Sequence, residues 1–447
     1  MRSLYRERKI TMQKNWYGLA LSAALILSLA PADAQTAPTP TPTPTPGDAP
    51  AAAAELGKPL SPWQAGMLDI HHINTGRGEA SFLILPDGTN MLVDASGKTI
   101  EAPPFSLPTR PDASRPPGEW VARYIARLLP ATKARGIDYA LISHFHGDHM
   151  GAIVADSPRA RAGGYRLSGI TEIAEHLPIR TVIDRAWPDY SYPEPVKGRT
   201  VANYRRFLAW QAQNRGLRVE RFVPGRNDQL KLRHAPKDYP QFEIRNLYAN
   251  GTVWSGTGSG SRTLFPSLEG MSPKDMPIEN KLSIAFRVTY GGFDYFTGGD
   301  LSALEDETLA PEQGWKHVET PVALASGPVD AMKANHHGSW DANSTPFLRL
   351  LRPRVIVIPS RAEGHPAVNT FKRMTSKATW PGPRDIFITN VSPATFTTTF
   401  GIEKAASTQG HVVIRVAPGG ASYRVFVLDD TDEAQRVKAV FGPYASQ

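Results

Sequence analysis

The sequence contains no cysteine. That excludes disulfides, thiolate zinc sites, iron–sulfur clusters and cysteine nucleophiles, so any metal must be held by His, Asp, Glu or backbone oxygen. Nor is there a marked excess of one charge: 50 Lys and Arg face 42 Asp and Glu, a net +8. Five basic residues against two acidic ones within residues 1–34 carry +3 of this, leaving about +5 for the rest. So mild a surplus reads as an ordinary solvated surface, and charge does not indicate nucleic acid as the partner. Beyond residue 30 no apolar run approaches the ~20 residues of a bilayer crossing, so no transmembrane segment is expected in the mature chain. Apolar residues at 41% and charged residues at 21% exclude wholesale disorder.

What is present begins with an export leader over residues 1–34. Basic residues precede an apolar run from Tyr17 to Ala30, too short to span comfortably, and Ala32-Asp33-Ala34 supplies the small–x–small pattern of a signal-peptidase site. The expected location is therefore periplasmic or secreted, with cleavage after Ala34. Residues 35–57 are rich in Thr, Pro and Ala, with prolines at 38, 40, 42, 44 and 46 that favour extended polyproline II and make a spacer. The folded body is expected over residues 58–447.

Within the body, short apolar runs at 68–73, 81–85 and 91–94, broken by the turns Gly76–Glu79 and Pro86–Gly88, predict a β-meander. Val121, Tyr124, Ile125, Leu128 and Leu129 form one stripe of a helix over 118–135, which Pro130 is expected to end or kink. A buried strand follows at 139–142, then a short helix near 170–176, a strand at 181–183 and a helix over 201–214. The Gly/Ser run Ser255–Ser261 reads as a surface loop, because no strand and helix N-terminus frame it as a phosphate cradle. From residue 282 the pattern resumes with strands at 282–288, 293–296, 331–334 and 355–358, a helix at 346–351, and a closing hairpin of 411–416 with 423–428. This alternation in two halves predicts an α/β fold of two sheets packed face to face, with helices outside.

Three of the twelve histidines fall in Ser143-His144-Phe145-His146-Gly147-Asp148-His149, directly after the buried strand. His144 and His146, two apart on extended chain, point the same way. Gly147 permits the turn that brings Asp148 and His149 alongside. Neutral imidazoles with a carboxylate suit zinc, and also manganese or iron. Other groups of metal-binding type stand at strand ends: Asp94, Asp300 after Gly298-Gly299, His336-His337, and His365 before Pro366. Their shared placement points to one site.

The 143–149 loop and the order Asp94, His144–His149, Asp300, His337 resemble the metallo-β-lactamase-fold hydrolases. Gly76–Ala80, Met91–Ala95, His336–Ser339, Gly364–Pro366 and the closing hairpin resemble, more closely, the soluble hydrolase domain of ComEC-type competence proteins. The resemblance implies an αββα four-layer sandwich over residues 58–447, with an unmatched insertion at 185–275. It implies two zinc ions, one held by His144 and His146, the other by Asp148 and His149, and both bridged by Asp300. One of His336 and His337 would complete the second site while its neighbour faces substrate. Asp94 would orient ligands by hydrogen bonds, Asp148 could take a proton from water, and His365 would belong to the substrate pocket. The family's usual third histidine has no counterpart: His176 and His234 lack the right surroundings, and the strand at 242–247 leads to Asn250 instead. Trp187, Tyr190, Tyr192 and Trp254 are candidates for either pocket wall or core. The membrane helices of competence proteins are missing, so a channel role is not expected. The implied function is an exported metal-dependent hydrolase acting on phosphodiester-type substrates. A β-lactamase or lactonase, or a metal-free binding module, are the alternatives.

Overall fold

The structure is a computed structural model that describes residues 54–98, 106–303 and 311–447. The leader and the spacer up to residue 53 lie outside the described residues. In chain order the first half contains β1 (Leu68–His72), β2 (Ser81–Ile84), β3 (Asn90–Val93), α1 (Pro117–Thr132), β4 (Ile137–Leu141), α2 (Gly147–Met150), α3 (Ile170–His176), β5 (Ile179–Asp184), α4 (Arg199–Arg215) and β6 (Arg218–Arg221). Then come β7 (Phe242–Ala249), β8 (Thr252–Trp254), β9 (Ser261–Thr263), β10 (Ala285–Tyr290) and β11 (Phe293–Thr297). The remainder is α5 (Glu319–Ser326), β12 (Ala331–Lys333), α6 (Thr345–Leu351), β13 (Val355–Ile358), α7 (Val368–Thr375), β14 (Asp385–Ile388), α8 (Pro393–Thr398), β15 (His411–Val416), β16 (Ser422–Leu428) and β17 (Val437–Ala445). Among the described residues no helix is long and apolar enough to cross a membrane.

Two mixed sheets result. The first runs β17-β16-β15-β1-β2-β3-β4-β5-β6, and the second β14-β13-β12-β11-β10-β7-β8-β9. In each, an antiparallel stretch passes into parallel strands, at β3–β4–β5–β6 in the first and β11–β12–β13–β14 in the second. Because side chains alternate across a strand, central strands such as β3, β4, β12 and β13 feed two cores. Leu68, Ile70, Met91, Val93 and Leu141 of the first sheet join Phe286, Val288, Tyr295, Val355 and Val357 of the second in one apolar cluster. The intervening residues Phe82, Leu92 and Ala140 pack with Val121 and Ile125 of α1, Ile173 of α3 and Phe207 of α4. Likewise Phe296, Met332 and Ile356 pack with Val322 of α5, Leu348 of α6 and Phe371 of α7.

Local departures from expectation have local causes. α1 runs past Pro130 and stops at Lys133, whose φ of 59° is left-handed. Pro130 sits in the last turn, where one missing amide donor does not stop the helix. The strand expected from residue 282 starts at Ala285, because Glu279–Leu282 coil into a 3-10 turn. The closing hairpin gains a third strand, β17, which bends at Gly442-Pro443 and reads poorly as a strand. The 185–275 stretch is woven into the sheets: β6 edges the first, and β7 pairs with β10 inside the second. Ser255–Ser261 closes the exposed β8–β9 hairpin.

Candidate metal centre

The parallel strands β3, β4, β11, β12 and β13 each release a chemical group just beyond their carboxyl ends, the usual place for a site in such sheets. Asp94 follows β3, His144–His149 follow β4, Asp300 follows β11, His336 and His337 follow β12, and His365 follows β13. Gly299 has φ +54°, and a Cβ there would meet Ser143 at 2.8 Å, so glycine lets the Asp300 loop close on the His144 loop. His336 and His337 both take left-handed φ values, 46° and 53°, a costly backbone that tends to mark functional sites.

The hydrogen bonds fix the tautomers. His149 donates from Nδ1 to Asp94 Oδ2 at 2.8 Å, and His337 from Nδ1 to the Pro359 carbonyl at 2.9 Å. Ser143 Oγ donates to Asp94 Oδ2 at 2.7 Å, so it accepts from His144 Nδ1 at 3.1 Å. Each of these three rings therefore turns an Nε2 lone pair inward. His149 Nε2 and His337 Nε2 stand 3.2 Å apart, and His144 Nε2 lies 3.1 Å from His146 Nδ1. Asp300 Oδ2 faces them, at 3.1 Å from His149, 3.5 Å from His337 and 3.8 Å from His144. Asp300 Oδ1 is buried and has no hydrogen-bond partner among the described residues. Converging lone pairs and a carboxylate repel unless a cation lies among them, so this donor set fits a metal ion.

Two groups have ligand atoms mutually within 4.8 Å: His144, His146 and Asp300; and Glu79, His149, Asp300 and His337. This cluster of His, Asp and Glu, buried except for the exposed His146, could hold a metal ion. Asp148 adjoins the second group, with Oδ2 3.1 Å from His337 Nε2 and 2.5 Å from Arg361 Nε. His336 stands to one side. Its Nδ1 donates to Asp341 at 2.7 Å, and its Nε2 accepts from Asn280 at 3.2 Å, leaving 3.8 Å to Asp300. The His365 ring stacks on His337 at 5.4 Å and 11°, with Nδ1 lacking a partner among the described residues.

The electrostatics point the same way. Burial alone would lower the His149 pKa, but Asp300, Asp148 and Asp94 outweigh it and lift it well above the ordinary value. Burial would raise Asp148 and Asp300. Arg361 and His149 hold the first well below the carboxylate range, and His149 with His337 and His336 hold the second there. In His144 burial dominates and keeps the ring neutral. Without a metal, protons on His149 and His337, whose pKa values the neighbouring carboxylates raise, supply positive charge of the kind a cation would bring.

Sequence reasoning missed Arg361, Asp341 and Asn280, described above, and four further members. Glu79 is fully buried and pairs with Lys333 at 2.8 Å, while Lys333 also donates to the Gly299 carbonyl. Arg185, fully buried, makes a two-point pair with Glu279, whose Oε1 accepts from the Phe145 amide and so braces the His144–His149 loop. A lone lysine in the apolar strand β12 was the available signal for a buried partner. Asn250 is engaged by Arg185 at 3.2 Å and through the Arg185 carbonyl at 2.6 Å. His176 and His234 are exposed. Of the aromatics, Tyr190 is core and hydrogen-bonds Asp184, Trp187 packs on it, Arg245 covers Trp254, and Tyr192 is exposed. The chain matches no family model and no curated protein sequence.

Proposed function

We propose that this protein is an exported metal-dependent hydrolase of phosphodiester-type substrates, built as an αββα four-layer sandwich of metallo-β-lactamase type. One observation carries the reading: a single carboxylate oxygen, Asp300 Oδ2, faces the ring nitrogens of His144, His149, His336 and His337 within 3.1–3.8 Å. The three apolar clusters support the layer order, and the 143–149 and 336–339 motifs support the family. His144, His146 and Asp300 would hold one cation; Glu79, His149, Asp300 and His337, beside Asp148, would hold a second. Zinc is the best match to imidazole and carboxylate donors, with manganese or iron next. Bound cations of this kind supply Lewis-acid activation of water and stabilise charge on phosphoryl oxygens.

The chain's own groups do the rest. Asp94 orients His149 directly and His144 through Ser143. Asp148 stays ionised at neutral pH, held by Arg361, and is placed to orient water or accept its proton. His336, hydrogen-bonded to Asp341 and part-exposed, and His365, stacked on His337, face the substrate side. Lys333 is buried against Glu79, so it is not free to clamp a substrate carboxylate; this weighs against a β-lactamase.

Metal-loaded protein should hydrolyse a bis-aryl phosphodiester, and Asp300→Asn should abolish it. Turnover confined to β-lactams or lactones would overturn the substrate class. Metal content equal in the wild type and the His144→Ala, His146→Ala double variant would overturn the metal site.

A further inference from the structure

A second charged cavity lies outside the metal centre, between α4 and the loop that follows α2. Its volume is about 400 Å³, and four arginines line it: Arg159, Arg166, Arg199 and Arg206. No Asp or Glu lines it, and none of the four arginines forms an ion pair among the described residues.

Local geometry sets the four arginines around one cavity, with Arg166 half-buried and Arg159, Arg199 and Arg206 exposed. Arg199 and Arg206 are seven apart on α4, with Ala202 and Asn203 between them on the same face. Arg159 and Arg166 face each other across an isolated antiparallel bridge, which sends both side chains to one side. Like charges directly opposite across a bridge are unfavourable, and here that pair lines the same cavity as the two arginines of α4.

The cavity is also braced. Buried Asn203 accepts from the Arg166 amide at 2.7 Å and donates to the Arg166 carbonyl at 2.9 Å, which locks the loop onto α4. The Arg166 guanidinium is anchored on the Ser157 carbonyl at 2.6 Å, and that of Arg206 on the Gly164 carbonyl at 3.3 Å. The Ile153 amide on its wall donates to Thr200 of α4 at 3.0 Å. A carbonyl takes only part of each fork and leaves N–H donors for an oxyanion.

We infer that this cavity is an anion-binding site for a diphosphate-type ligand, separate from the metal centre. Four positive charges, two of them anchored, match the three to four negative charges of a diphosphate, and guanidinium forks match its oxygens two at a time. The volume falls within the range of small-ligand pockets. The inference does not rest on the hydrolase reading.

Titration calorimetry with inorganic pyrophosphate tests it, using metal-stripped protein so that chelation does not contribute. Saturable one-to-one binding is expected, at least tenfold weaker in Arg199→Gln, Arg206→Gln, and unchanged in His144→Ala, His146→Ala. Arg159→Gln, on an exposed loop residue, gives a second variant should the double one fold poorly, and it too should weaken binding. The inference is overturned by no saturable binding, by equal binding of chloride or acetate at matched ionic strength, or by unchanged affinity in both arginine variants. Loss only in the histidine variant would place the ligand at the metal centre and overturn it as well.

Discussion

Asp94 accepts the Nδ1 proton of His149 at 2.8 Å, and the same oxygen accepts the Ser143 hydroxyl at 2.7 Å. Its other oxygen takes the Ser143 amide at 2.7 Å. One buried carboxylate thus sets the ring orientation of His149 directly and of His144 one bond further on. Asp94 holds a left-handed backbone, φ 59°, to reach all three donors.

Asp94 and Asp300 should therefore fail differently. Asp94→Asn should weaken metal binding or activity ~10–100-fold, as expected for a group that only orients ligands. Asp300→Asn keeps the shape but removes the charge shared by both donor groups. It should lose at least one ion and all hydrolysis, with circular dichroism unchanged. Full metal content and near wild-type turnover in Asp300→Asn would refute the dinuclear assignment.

The Glu79–Lys333 pair is wholly buried. Burial pushes the Glu79 carboxyl pKa up, and Lys333 opposes this. Lys333→Met should destabilise the metal-stripped protein by about 3–5 kcal/mol, since it strands a buried carboxylate. The double variant Glu79→Gln, Lys333→Met should recover most of that loss in urea unfolding. No recovery would mean that the lysine acts through packing and not through charge.

Glu172 on α3 supplies a pH test away from the cluster. Burial, reinforced by Glu119, raises its pKa from the usual 4.5 to about 7. A carboxyl with a raised folded-state pKa favours folding fully below about 4.5, and that contribution is lost as pH rises through about 7. Glu172→Gln should thus stabilise the fold at pH 8, by up to ~3 kcal/mol, with the gain shrinking towards pH 5. Equal melting shifts at both pH values would contradict this ionisation.

Export predicts a processed N-terminus. Protein recovered from outside the cytoplasm should begin Gln35-Thr36-Ala37. An intact leader on cytoplasmic protein would remove the basis for export.

The strand pattern and the 143–149 cluster were legible because both are local. The alternation of β10 and the unbroken apolar run of β13 are properties of four to six residues, and the His144–His149 spacing sets its own geometry within a short stretch of chain. Asp300 was legible for a similar reason: Gly298-Gly299 announces a close approach of backbone. The element ends were less so. The start of β10 depends on the 3-10 turn that carries Glu279 to Arg185, a contact 94 residues away in sequence.

Residue type and short-range spacing by themselves marked His144, His146, Asp148, His149, Asp300 and the His336-His337 pair as groups of metal-binding type, and the strands that carry them. Only the tertiary structure decided their assignment. It turned His337 into the donor cluster and tied His336 to Asp341 and Asn280. It brought Glu79 and Lys333 together across 254 positions, set Arg361 on Asp148, and left Asn250 to Arg185. The reason is physical. A histidine's role depends on which nitrogen is hydrogen-bonded and what the other one faces. Those partners come from other strands, whose meeting is set by the register of two sheets and the packing between them.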